Sequence, residues 1–217
     1  MSYPAKEQMI AYYEDLLGRY GDSFRTLDWK SAESQKLRYA VLLYIFYLTQ
    51  RRKDISILDV GCGLGHFYGY LKEEDLIARD RIDYTGYDIS AKLIERAQKL
   101  YPEAKFLMKD ILEEEAQSFD YVFCSGVFNI ILTDEGTHLK FVNEMLCRMF
   151  AFSKIGLAVN FLSITGIHLV PERASTELSR YYYFKPEEIA LWARALTDRF
   201  ILRHDYHPGD FTLYLLK

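Results

Sequence analysis

The stretch Ile57-Leu58-Asp59-Val60-Gly61-Cys62-Gly63-Leu64-Gly65-His66 decides the fold of this chain. Its first residues read as a buried strand, and three alternating glycines follow without a break. Glycine at such positions lets the backbone turn sharply and lets a ligand lie against main-chain atoms where a Cβ would clash. An amphipathic helix is expected next, over 65–74. Strand, tight turn and helix form the first half of a nucleotide-binding βαβ unit, so an adenosine-containing cofactor is expected.

The glycine register narrows the choice. A dinucleotide fingerprint, G-x-G-x-x-G, would need its third glycine at position 66, which is histidine. A P-loop is excluded because His66-Phe67-Tyr68-Gly69-Tyr70 carries no Lys-Ser/Thr pair. What stands here is Asp59-x-Gly61-x-Gly63-x-Gly65. Further acids follow in order: Asp88 closes Tyr84-Thr85-Gly86-Tyr87-Asp88, and Asp110 follows Phe106-Leu107-Met108-Lys109. Ser118-Phe119-Asp120-Tyr121-Val122-Phe123 then reads as a fourth strand. A carboxylate at a strand end can accept from both vicinal ribose hydroxyls, and a second acid suits the amine of adenine. Ser90 is the better N-cap for the next helix, which frees Asp88 for a ligand.

Together these motifs resemble the cofactor site of the class I S-adenosylmethionine-dependent methyltransferases, and the resemblance runs from about Ile55 to the C-terminus. It implies an α/β fold: a Rossmann-like, seven-stranded, mostly parallel sheet with helices on both faces and a C-terminal antiparallel hairpin. It also implies S-adenosyl-L-methionine as cofactor, S-adenosyl-L-homocysteine as product, and no metal. On this reading Gly61, Cys62, Gly63 and Gly65 shape the loop, and Asp59 supports it and the methionine end. Asp88 takes the ribose and Asp110 with Ile111 the adenine; Ile89 and Ser125 are further cofactor-binding candidates, Ser125 lying on the candidate substrate face after the fourth strand. Arg38, sharing a helix face with Gln35, has three readings: a partner for the cofactor carboxylate, a partner for an anionic substrate, or a solvated helix arginine.

Composition agrees with one domain over residues 1–217. Half of the residues are hydrophobic, with 18 Tyr and 14 Phe, enough for a sizeable core. No apolar run reaches the ~18 residues of a membrane span, and the N-terminus has no signal-peptide pattern. Cys62, Cys124 and Cys147 are scattered without metal or disulfide spacing, so a cytoplasmic protein with reduced thiols is expected. A net charge of −4 argues against a strong nucleic-acid surface. There are no repeats or low-complexity tracts.

Periodicity predicts helices over 5–19 and 34–50, the second with Leu37, Val41, Tyr44, Ile45 and Leu48 inward. Strands are expected near 55–60, 83–88, 104–108, 119–123 and 154–161, with helices at 90–100 and 134–150. Lys185-Pro186-Glu187-Glu188 starts a helix to 198, and two strands, 200–205 and 211–216, close the chain. Residues 1–54 are expected to cap the cleft, and 162–184 to form a substrate lid.

Methyl transfer is an in-line displacement that needs little beyond positioning and loss of one proton, so it leaves no obligatory signature. The topology rule that ligands sit beyond the carboxyl ends of the strands supplies the candidates Asn129, His168, Tyr183 and His204. Each has a plainer reading: Asn129 as a turn residue, His168 and His204 as loop residues, Tyr183 as packing. Metal-assisted catechol-type enzymes are set aside because Cys124-Ser125-Gly126 stands where they need an acid. Amino-methylating nucleic-acid enzymes are set aside because no Pro-Pro occurs, and RNA cytosine enzymes because no Pro-Cys setting does. A small-molecule acceptor at O or N is expected, with no membrane partner and the oligomeric state open. The alternatives are a peptide or RNA methyltransferase and a non-catalytic cofactor-binding scaffold.

Overall fold

Side-chain alternation in the first strand sets the layers. In β1 (Ser56–Val60), Ile57 joins one core cluster and Leu58 the other, because successive residues point to opposite faces. Tyr121 and Val122 repeat this in β4 (Phe119–Cys124), and Tyr214 and Leu215 in β7 (Asp210–Leu216). The computed structural model describes residues 5–50, 52–115, 117–169 and 180–217, with the side chains of 167–169 outside that description.

The other strands are β2 (Asp83–Asp88), β3 (Lys105–Met108), β5 (Ser153–Leu162) and β6 (Phe200–Arg203). The seven run in the order β3-β2-β1-β4-β5-β7-β6. All pairings from β3 to β5 are parallel, and β7 runs antiparallel to both β5 and β6. The expected closing hairpin is therefore present. The order reverses between β1 and β4, the switch point where α/β sheets open a crevice at their carboxyl ends.

The first face is covered by α2 (Ala32–Leu42), α3 (Tyr44–Leu48), α4 (His66–Glu73) and α6 (Ala91–Leu100), which supply Tyr39, Ile45, Phe67 and Ile94 to its cluster. The second is covered by α7 (Glu135–Phe152) and, after the short α5 (Leu76–Asp80) is counted in chain order, by α8 (Pro186–Leu196). These two contribute Val142, Leu146, Ile189 and Ala193. Ser90 caps α6 by accepting from Leu93 N–H, and Asp134 caps α7 by accepting from Thr137 N–H at 3.0 Å.

Three expectations change. The helix foreseen over 34–50 begins at Ala32, because Ser31 caps it, and breaks at Leu43, where a tightened Phe46 N–H to Leu43 carbonyl bond interrupts the ladder. Leu37 faces outward at 38% exposure, while Gln35, Arg38 and Tyr39 take the inward face. The five-residue α5 carries too little periodicity to be foreseen. Of the lid foreseen over 162–184, the structure describes a 3-10 turn at Ile164–Leu169 and a return segment. That return bridges Ile130 to Tyr181 and Ser163 to Phe184, and residues 170–179 lie outside the described residues.

Candidate functional site

A cleft of about 1120 Å³ opens at the switch point. Its floor is the glycine loop. Gly63 has φ +54°, a left-handed conformation suited to glycine, and a Cβ there would come within 2.6 Å of Leu27. Its N–H donates to Asp88 Oδ2 at 2.9 Å. The N–H groups of Gly61 and Cys62 both donate to the Tyr87 carbonyl, at 2.8 and 3.0 Å, which ties the loop to the end of β2. Gly65 turns the end of the loop at φ +75°, its N–H donating to the Cys62 carbonyl at 2.9 Å. It does not line the cleft, and a Cβ on it would strike the Phe106 ring at 2.6 Å, so it lets the N-terminus of α4 pack on the sheet.

Asp88 sits where β2 ends. One oxygen accepts from Gly63 N–H and the other from Ser90 N–H, each at 2.9 Å. A carboxylate has about four acceptor positions, so two remain for donors in the cleft. Burial pushes the Asp88 pKa up, and the N–H bonds from Ser90, Gly63 and Ile89 oppose it. Asp59, 3% exposed, accepts from Tyr84 Oη at 2.7 Å. Burial raises its pKa to about 7; the Tyr84 bond counters this and the neighbouring Asp88 adds to it.

Asp110 lines the far end beside Ile89 and Ile111. It accepts from Leu112 N–H at 3.0 Å and pairs with Lys6 Nζ at 2.7 Å. Lys6 belongs to α1 (Lys6–Tyr20), which roofs the cleft with Met9, Ile10 and Tyr13. A second tie runs from Ser90 Oγ to Glu14 Oε1 at 2.9 Å. The apolar stripe of α1 was legible in the sequence, but its use as the roof was not, and Lys6 gave no signal. Phe141 and Met145 of α7 complete the wall.

The remaining expected residues divide. Cys62 lines the cleft, and burial drives its thiol pKa well up, as it does for Cys124, which disfavours the thiolate at both. Ser125 lines the cleft, and its Oγ is buried with no hydrogen-bond partner. Arg38 is not on the cleft wall. It is 5% exposed, donates to the Ser34 carbonyl at 2.7 Å and pairs with Asp210, so it is not a solvated helix arginine. Asn129 lies in the turn after β4, its carbonyl accepting from Tyr182 N–H at 2.9 Å. His204 contacts Thr165 Oγ1 at 3.2 Å and the edge of Phe211. Asn129, Tyr183 and His204 do not converge on the cleft wall, and the His168 side chain lies outside the described residues. Among the described residues no acidic, His and Cys cluster could hold a metal, and no helix is long and apolar enough to cross a membrane.

A family profile described as "Methyltransferase domain" matches residues 51–164, just over half of the chain. No curated protein sequence matches. Among solved structures, the chain resembles magnesium protoporphyrin IX methyltransferase from Synechocystis PCC 6803 with bound SAM, at TM-score 0.65 and 18% identity, over 100% of this chain and 98% of that one. It also resembles the plantazolicin methyltransferase BamL in complex with a triazolic desmethylPZN analog and SAH, at TM-score 0.71 and 16% identity over 98% and 96%. A third is a SAM-dependent methyltransferase from Archaeoglobus fulgidus, at TM-score 0.61 and 16% identity over 85% and 95%. The strand order, the antiparallel β7 and the profile agree: this chain belongs to the methyltransferase-domain family and has the class I S-adenosylmethionine-dependent methyltransferase fold.

Proposed function

We propose that the cleft binds S-adenosylmethionine and that the chain transfers its methyl group to an oxygen or nitrogen of a small molecule. The observation that carries this reading is Asp88, fixed by two N–H bonds at the end of β2 with acceptor positions left over for a pair of hydroxyls. When bound, the cofactor supplies a methyl group on a cationic sulfonium sulfur. Asp59, in its ionised form, favours the cationic methionine end. Asp110 and Ile111, with Met9 and Phe141 nearby, offer the adenine one acceptor and apolar walls. Gly61 and Gly63 keep the floor free of side chains. The α1 roof closes over one side of the cleft, and the chain acts chiefly by positioning. Gly65 serves the site by packing, and Arg38 by holding Trp29.

The α1 roof over the cleft suits a small acceptor better than a folded macromolecule, and the net charge of −4 offers no general attraction for nucleic acid. Three free cysteines fit a reducing, cytoplasmic setting. The test is transfer of a radiolabelled methyl group from S-adenosylmethionine into cell extract split by ultrafiltration. Label should enter the small-molecule filtrate with the wild-type chain and not with Asp88→Ala. Label confined to the retained macromolecules would overturn the small-molecule reading.

A further inference from the structure

Trp29 stands beside the turn that follows β4. Its indole lines the cleft, and its benzo edge meets Gly126, where an added Cβ would lie 3.3 Å from Cζ2. The Arg38 guanidinium lies over the ring at 5.4 Å from its centroid. Arg38 is itself held by Ser34 and by Asp210, and both members of the Arg38–Asp210 pair are buried. The indole is therefore clamped before any ligand arrives, and a preorganised aromatic face favours stacking with a flat partner.

The same turn leaves two polar atoms unanswered. Ser125 Oγ and Asn129 Oδ1 are both buried without a hydrogen-bond partner, and Ser125 lines the cleft. Buried polar atoms in native structures are nearly always satisfied, and of these two only Ser125 lines the cleft, so its hydroxyl points to a hydrogen-bond partner supplied from outside the chain. Arg38 Nε is likewise buried without a hydrogen-bond partner, while the formal charges of Arg38 and Asp28 are each paired, with Asp210 and with Arg180. Asp28 also accepts from Tyr12 Oη at 2.9 Å and from Tyr181 Oη at 2.8 Å. A stacking face, one unanswered hydroxyl and paired formal charges describe one kind of guest.

Resting on the proposed function, we infer that the methyl acceptor is an uncharged aromatic or heteroaromatic ring bearing an O–H or N–H. Its plane stacks on the cleft face of Trp29, and its O–H or N–H donates a hydrogen bond to Ser125 Oγ. In the transfer, the acceptor's lone pair forms the new bond to the methyl carbon as the carbon–sulfur bond breaks. That bond's electron pair stays on sulfur, which becomes a neutral thioether. The acceptor's proton leaves to water. Trp29 and Ser125 select the acceptor by shape and by hydrogen bond.

The test is a binding experiment that needs no turnover. The chain has two tryptophans, so Trp192→Phe leaves Trp29 as the sole tryptophan emitter. With S-adenosylhomocysteine bound, three probes are titrated: 2-naphthol (flat, with O–H), 2-methoxynaphthalene (flat, without a donor) and decahydro-2-naphthol (O–H, not flat). 2-Naphthol should quench Trp29 saturably and bind more tightly than either of the others. Ser125→Ala should weaken 2-naphthol about tenfold while leaving 2-methoxynaphthalene unchanged. Trp29→Leu, still binding S-adenosylhomocysteine, should lose calorimetrically detected binding of both flat probes. Equal binding of the non-planar alcohol, no saturable quenching, or an equal effect of Ser125→Ala on both flat probes would overturn the inference while leaving the cofactor assignment intact. Failure of S-adenosylhomocysteine itself to bind would overturn the proposed function, and this inference with it.

Discussion

Replacing Asp59 by Asn isolates the cost of holding a carboxylate beneath the glycine loop. The group is fully enclosed and its pKa rises from 3.8 to about 7. At about 1.4 kcal/mol per pH unit, carrying the charge above pH 7 costs the ligand-free fold about 4 kcal/mol. The sign follows from linkage. Between the unfolded and folded pKa values the native state holds the extra proton, so stability falls as pH rises through that window. The introduced amide keeps an oxygen to accept from Tyr84 and never ionises. Its NH2 group adds a pH-independent offset, so the readout is a change between two pH values. From pH 5 to pH 8 the variant should gain about 3 kcal/mol on the wild type. For a domain of this size that is roughly 6–12 °C in melting temperature. Thermal unfolding of the ligand-free proteins at both pH values, by circular dichroism or calorimetry, supplies the comparison. A difference that stays constant between them would refute the buried charge.

Two further outcomes follow from the geometry. Arg38→Ala should destabilise the chain by about 3–5 kcal/mol in denaturant titration, because it strands the buried Asp210 carboxylate. Adding Asp210→Asn to that variant should recover part of the loss. Gly63→Ala should weaken S-adenosylhomocysteine binding at least tenfold by calorimetry. The φ of +54° costs any L-residue, and the new methyl would push Leu27 off the cleft wall.

Local pattern carried most of the fold. The strands, the glycine loop and the Ser90 cap sit within windows of a few residues, where alternation and capping chemistry act directly. Asp59, Asp88 and Asp110 are assigned from their order along the chain near strand ends, together with the resemblance to the class I methyltransferases. What the chain kept hidden depends on long-range contact. Lys6 meets Asp110 across more than a hundred residues, and Arg38 meets Asp210 across 172. The polar inward face of α2, with Gln35 and Arg38 buried and Leu37 exposed, defeats hydrophobic periodicity because Asp210 of β7 pairs with Arg38 and His66 of α4 meets Gln35. Tyr183 and His204 stand at the correct end of the sheet by topology, yet neither reaches the cleft wall. Strand order fixes an end of the sheet, not the direction of a side chain.

The central claim is that Asp88 holds the hydroxyls of an adenosyl cofactor in this cleft. Calorimetric titration of the wild type and Asp88→Ala with S-adenosylhomocysteine, with NAD as control, tests it most directly. The account predicts saturable binding of S-adenosylhomocysteine, none of NAD, and a loss of about 1–3 kcal/mol in the variant. Equal affinity in the two proteins, or binding of NAD in place of S-adenosylhomocysteine, would contradict it.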